Sequence, residues 1–392
     1  MNDLILSYAD SRFPAYRDAA LDLHANPEIC NEEYHARDVL CALMEEEGFE
    51  TVKNVAGHET GFTATWKSGK PGPVLVFLAE YDALAGLGHG CGHNLFGPTS
   101  CLAAAALKQA AKCGEIRVYG TPGEEGGVNG SAKGSFVREG FFKDVDAALC
   151  VHPGSHEHVL TGREIACAPV TIEFWGRASH AAASPQEGIN ALDALILVYN
   201  GINALRQQTT SDVRIHGIIT HGGDAPNIIP AYTQAKFYIR AATVKRMMDI
   251  YHKIENIVQG AALATGCTGK MAPSQNQVEN IVPTPSFDAV YLKHLLEMDE
   301  PYEEKPHISL GSSDVGNVSQ VVPVIQPMIP VSDVPVPGHS IEKVAACKSE
   351  KGLASIALGA KLLAQTGLDL LEDPQLLASI KREHAEILKN EE

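Results

Sequence analysis

An α/β fold with a mainly parallel sheet, interrupted by a smaller α+β domain, is predicted by three features of the chain. Three consecutive βα-type units occur before residue 168, each opening on a short apolar run that reads as a buried strand. At Ala168 this grammar gives way to the clean alternation Pro169 to Gly176, the pattern of a strand with one solvated face. The 392 residues also exceed the length at which one core usually stops growing, so two domains are expected.

Taken in order, the chain opens with two helices. Apolar residues recur at helical spacing from Leu4 to about His24 and from Asn31 to about Glu47, with Asn26-Pro27 between them and Gly48 at the end. Phe49 to Trp66 reads as a pair of short strands. The first βα unit runs from strand Val74 to Ala79, through Gly88 to Gly97, into a helix around Cys101 to Leu107. The second runs from strand Glu115 to Tyr119, through Gly120 to Gly127, into a helix from about Ser131 to Glu139. The third is strand Ala147 to Val151, ending in His152-Pro153-Gly154. The inserted domain, residues 169–281, continues with a helix from about Gly188 to Gln207, strands Val213 to Thr220 and Ala235 to Arg240, and a helix from about Val244 to Ala264. The main domain, residues 1–168, resumes over 282–392 with a helix around Phe287 to Leu296, an apolar stretch Val321 to Val331, a long helix from about Ile341 to Gln365, and a charged helical tail after Asp373.

Composition narrows the function classes. Hydrophobic residues at 45% and charged residues at 20% describe an ordinary globular chain. A formal net charge of −17 argues against nucleic acid or an anionic membrane surface as partner, since both select basic faces, and leaves small molecules or peptides. No apolar run approaches the roughly 18–20 residues that span a bilayer. Nine scattered cysteines without a disulfide-framework spacing, behind an N-terminus with no basic and apolar leader, predict a cytoplasmic protein with reduced thiols.

The chemistry concentrates on strand-to-helix loops, the rim where α/β sheets bind ligands. In GHGCGHNLFG, residues 88–97, Cys91 and His93 are separated by one residue and flanked by glycines that permit a tight chelating turn. A cysteine in such a turn is also commonly a small buried apolar residue. Asp82, at the carboxyl end of the first strand, can reach a metal site or orient a ligand. The adjacent carboxylates Glu124 and Glu125 could divide labour, one binding a cation and the other accepting a proton from water. Alternatively they favour a helix start electrostatically. His152 arrives at the same rim from the third strand.

The runs AEYDALAGLGHGCGHN, TPGEEGG, VHPG, RASHAAASPQEGINALDA and GGDAPNIIP, in this order along nearly the whole chain, resemble the aminoacylase/carboxypeptidase family of dinuclear metallopeptidases. The similarity is to its amidohydrolase branch, with p-aminobenzoyl-glutamate hydrolase, hippurate hydrolase and Xaa-Lys/Arg dipeptidases. The resemblance implies that residues 1–168 and 282–392 form a catalytic metal-binding domain and 169–281 a lid that also dimerises. It implies Cys91, His93, Glu125, His152 and His339 as metal ligands for two divalent ions, manganese or zinc, and Glu124 as general base. It implies His180 as a lid histidine that stabilises the oxyanion across a dimer, and Asn227 and Arg240 as substrate-holding residues, Arg240 for a terminal carboxylate. Asn94 stands where the hippurate-hydrolase side carries Asp. The expected activity is metal-dependent hydrolysis of an amide bond in an N-acyl amino acid or a dipeptide with a free carboxylate, by a homodimer. The alternative is a non-catalytic metal-binding regulatory or scaffold protein with a relict site.

Overall fold

The computed structural model describes residues 1–303 and 309–391. The chain divides into two compact units, Met1–Glu164 with Ile281–Glu392, and Ile165–Asn280.

The first unit is built on a six-stranded sheet in the order Glu50–Val55, His58–Lys67, Glu115–Gly120, Val74–Ala79, Ala147–Leu149, Val324–Ile325. The first three strands pair antiparallel and the last four pair parallel, so the parallel half is the half that carries the loops of interest. Both faces are covered. Leu75, Phe77 and Ala79 point into one apolar cluster with the helices Asp3–Ala25, His93–Ala110 and Glu350–Glu372, while Val76 and Leu78 point into a second cluster with Ala132–Arg138 and Val315–Ser319. That is why the central strand reads as an unbroken apolar run rather than an alternation. The crossover from Val74–Ala79 through helix His93–Ala110 to Glu115–Gly120 sets the helix start at the carboxyl end of the strand. A small sheet of two-residue strands, including His152–Pro153 parallel to Met328–Ile329, holds the third loop.

One predicted element is corrected. The expected helix from Ile341 to Gln365 is two helices, Ile341–Ala346 and Glu350–Glu372. No proline or glycine marks the break. Ser349 caps the second helix through a bond from Gly352 N at 3.1 Å, and Asn94 donates its amide to the freed carbonyl of Cys347 at 3.1 Å and to that of Ala20 at 3.2 Å. Both partners are acceptors, so the side chain must supply an N–H, which an aspartate carboxylate cannot. Asn94 is therefore explained by helix packing.

The second unit is a four-stranded antiparallel sheet, Thr268–Pro273, Ala166–Trp175, Tyr232–Ala241, Arg214–His221, with helices Ala191–Arg206 and Val244–Thr265 packed on one face. The strand Thr268–Pro273 is hidden in the sequence, since Gly269 and Pro273 mask its alternation. Arg214–His221 is an edge strand whose Ile218 and Ile219 are 65% and 43% exposed. No described helix of the chain is long and apolar enough to cross a membrane.

Candidate metal centre

Three loops at the carboxyl ends of the parallel strands bring the predicted ligands together. Gly92 adopts φ 97°, and a Cβ there would lie 2.7 Å from the Pro153 Cβ, so only glycine lets the Cys91-Gly92-His93 turn pack against the loop that carries His152. Cys91 Sγ is consequently 3.4 Å from His152 Nε2. Donor atoms of Cys91, His93 and His152 all lie within 4.8 Å of one another, and the same holds for Cys91, Glu125 and His339. The thiol belongs to both triplets. A sulfur common to two ligand sets is the arrangement in which a thiolate bridges two cations.

Asp82 orients both sets. Its Oδ1 accepts from His93 Nδ1 at 2.9 Å, which leaves Nε2 as the lone-pair nitrogen facing the centre, and its Oδ2 accepts from Glu125 N at 2.9 Å. Two further supports carry no signal in the sequence. Glu33 is fully buried and accepts from Gly123 N at 2.9 Å and Thr60 Oγ1 at 2.9 Å, gripping the turn that carries Glu124. It reads in sequence as an ordinary acidic residue in a first helical turn, and only the tertiary fold shows its burial. Lys343 donates Nζ to the carbonyls of Pro153 and Gly154, bracing the His152 loop. His339 closes the second triplet from a left-handed backbone, φ 54°, held by a bond from its N to Gly90 O at 3.0 Å.

Electrostatics separates the roles. Burial, with Glu80 and Glu125 alongside, pushes Glu124 well above the usual carboxylate range, as suits a group that must take up and return a proton near neutrality. Burial pushes His152 down to about 3, so it stands neutral with a lone pair to offer. Burial also pushes the Cys91 thiol up, so a thiolate there needs a cation beside it. The fit to a divalent metal is good on independent grounds. His93 Nε2 and Glu125 Oε1 are buried without any hydrogen-bond partner, an arrangement that is costly unless a cation satisfies them. Glu124 Oε2 is 3.8 Å from His93 Nε2 while Glu125 Oε2 is 3.4 Å from His339 Nε2, so neighbours in sequence serve opposite sides of the thiol.

The remaining predicted residues belong to the second unit. His180 and Asn227 lie together: His180 bridges to Ile228, and Ala181 N donates to Asn227 O at 3.0 Å. His180 Nδ1 accepts from Ala182 N and Ala183 N at 3.2 and 3.1 Å, which places the proton of the neutral ring on the other nitrogen, Nε2. Arg240 stands opposite Cys167 and Arg214, eight residues beyond Tyr232 and hence about 26 Å along the strand from the end that carries Asn227. The unit does not bring Arg240 to His180.

Comparison with known proteins agrees with this architecture. A profile of the peptidase dimerisation domain of the M20 group matches residues 167–265. The human Xaa-Arg dipeptidase is 34% identical over 94% of this chain and 88% of its own length. One of the two chains that make up the Escherichia coli p-aminobenzoyl-glutamate hydrolase is 32% identical over 95% of this chain and 92% of its own length. The fold matches, with TM-score 0.62 and 17% identity, that of a dinuclear metal binding peptidase from the M20 family of Bacillus subtilis, over 93% of this chain and 99% of that one. With relatives alike along nearly their whole lengths, the non-catalytic reading is set aside, and the chain belongs to the M20 family of metal-dependent peptidases and amidohydrolases.

Proposed function

We propose that the chain hydrolyses dipeptides or N-acyl amino acids that end in a free carboxylate, with Glu124 as general base and a pair of divalent ions held by Cys91, His93, His152, Glu125 and His339. The observation that carries this reading is the thiol shared by two ligand triplets, with Glu124 on one side of it. Divalent cations held there supply Lewis acidity, which acidifies water and polarises the scissile carbonyl. Glu124 takes the proton of the attacking water and passes it to the departing amine nitrogen, so the amide and water become a carboxylic acid and an amine. His180, with its Nε2–H outward, is suited to donate to the oxyanion, Asn227 to hold the acyl side, and Arg240 to grip the terminal carboxylate.

Mixed sulfur, nitrogen and oxygen donors suit manganese and zinc alike. The same reading makes the protein a homodimer through the edge strand Arg214–His221. Its support is the dimerisation-domain match together with the separation of His180 from Arg240 within one copy, which suits a histidine serving the neighbouring copy's centre. A cytoplasmic setting is part of the proposal, supported by nine cysteines, none of them disulfide-bonded. The names of the relatives make dipeptides with a C-terminal basic residue and aminobenzoyl-glutamate the first substrates to try. The test is release of free amino acid from a panel of dipeptides and N-acyl amino acids, with and without chelator. Chelator-sensitive turnover is expected on at least one of them, and none across the panel would sink the reading.

A further inference from the structure

A buried charge network adjoins the centre. Glu80 follows directly on the central strand and, like Lys133 and His93, is fully buried. Lys133 Nζ lies 2.8 Å from Glu80 Oε1 and 2.6 Å from Asp314 Oδ1, and Lys133 N donates to Asp314 Oδ2 at 3.0 Å. Asp314 alone thus gives Lys133 both a counter-ion and a backbone tie. The second oxygen of Glu80 is left over. Oε2 stands 3.1 Å from His93 Nε2, and neither atom makes a hydrogen bond. Since Asp82 holds the proton of His93 on Nδ1, a carboxylate lone pair faces an imidazole lone pair at contact distance. Two acceptors so placed repel unless a positive centre lies between them. A separation near 3 Å is what two donors, each about 2.1 Å from one cation and roughly at right angles, would show. Donor atoms of Glu80, His93 and Glu124 also lie within 4.8 Å of one another.

We propose that Glu80 is a further carboxylate ligand of the metal centre, sharing with His93 the cation on that side of Cys91, and that Lys133 and Asp314 hold it in place. The proposal rests on the metal reading above and adds a ligand to it. Lys133 binds one oxygen and so leaves Glu80 monodentate toward the cation. Without that restraint the carboxylate could rotate both oxygens inward and take the position an attacking water needs.

The competing account is that Glu80 is only a counter-ion for Lys133, with a protonated His93 between Asp82 and Glu80. The experiment loads the metal-free chain with Co²⁺ and reads bound metal by mass spectrometry, the cobalt absorption bands, and the thermal midpoint of the metal-free form. It compares Glu80→Gln, the double variant Glu80→Gln with Lys133→Met, and Cys91→Ala. Glu80→Gln is expected to weaken the cation on the His93 side by about tenfold or more and to shift the cobalt bands. The double variant removes the unpaired buried charge, so it should recover the thermal midpoint while staying weak for metal; it decides the matter if the single variant folds poorly. Wild-type affinity and bands in the double variant, with metal lost in Cys91→Ala, would overturn the role of Glu80 alone. Full metal retention in Cys91→Ala would overturn the metal reading beneath it.

Discussion

The sheet rim of the first unit and the edge strand of the second break the same rule in opposite directions. At the rim, the side chains of Glu33, Glu80, Asp82, His93 and Lys133 are all withdrawn from water, although groups of these types are seldom fully buried unless paired. At the edge, Ile218 and Ile219 are left exposed on a strand with one unpaired side. The first region is a concentration of polarity that calls for a cation. The second is an apolar, open hydrogen-bonding edge that calls for another protein surface. Where polarity and burial disagree, the sign of the disagreement tells what is missing.

The largest expected effect separates the two adjacent carboxylates at the rim. Glu124→Gln keeps size but cannot accept a proton, so turnover should fall by about two orders of magnitude or more with bound metal unchanged. Glu125→Gln should instead lower metal occupancy and activity together, with partial rescue by excess ion. Metal lost from the first variant and kept by the second would mean the pair is assigned the wrong way round.

A smaller effect tests the edge. Lysines at Ile218 and Ile219 should convert the protein to a monomer of 41.9 kDa in sedimentation and remove most of its activity. If His180 works on the neighbouring copy, mixing and reassociating His180→Ala with Glu124→Gln should restore about a quarter of wild-type activity, because half the dimers then hold one complete site. A fully active monomer would rule out both.

The smallest effect uses a buried carboxyl away from the rim as a control for burial without a cation. Asp288 is pushed up to about 7 by burial, against the opposing bonds from Thr161 N and Oγ1 at 3.2 and 2.7 Å. Its folded pKa lies above its unfolded value, so the native state holds the extra proton between them. Its contribution to stability is complete below about pH 4 and is lost as pH rises through about 7. Asp288→Asn should remove that slope from urea unfolding curves measured across this range, and an unchanged slope would show that Asp288 does not titrate there.

The parallel strands and their loops are legible in the sequence because apolar runs of strand length, bounded by glycine and proline, have few other readings. Cys91, His93, Glu125, His152 and His339 are legible mainly through resemblance, since a Cys-Gly-His turn alone is also compatible with a buried thiol. What stays hidden depends on contacts between distant segments. The break before Ser349 lies in sequence that is periodic throughout, and only the donation by Asn94 to Cys347 O exposes it. Glu33, Lys133 and Lys343 look like surface charges until the fold closes over them, because residue type carries no record of a partner far along the chain.

The two ligand triplets differ in one respect with a consequence of its own. Cys91, His93 and His152 are walled in by packed loops, whereas the second triplet ends on His339, whose side chain is 55% exposed. Ions in the two positions would then exchange with the medium at different rates, slowly on the buried side and quickly beside His339. The metal content of a preparation would record two moments at once: the supply present when the chain folded, and the buffer in which it was last kept.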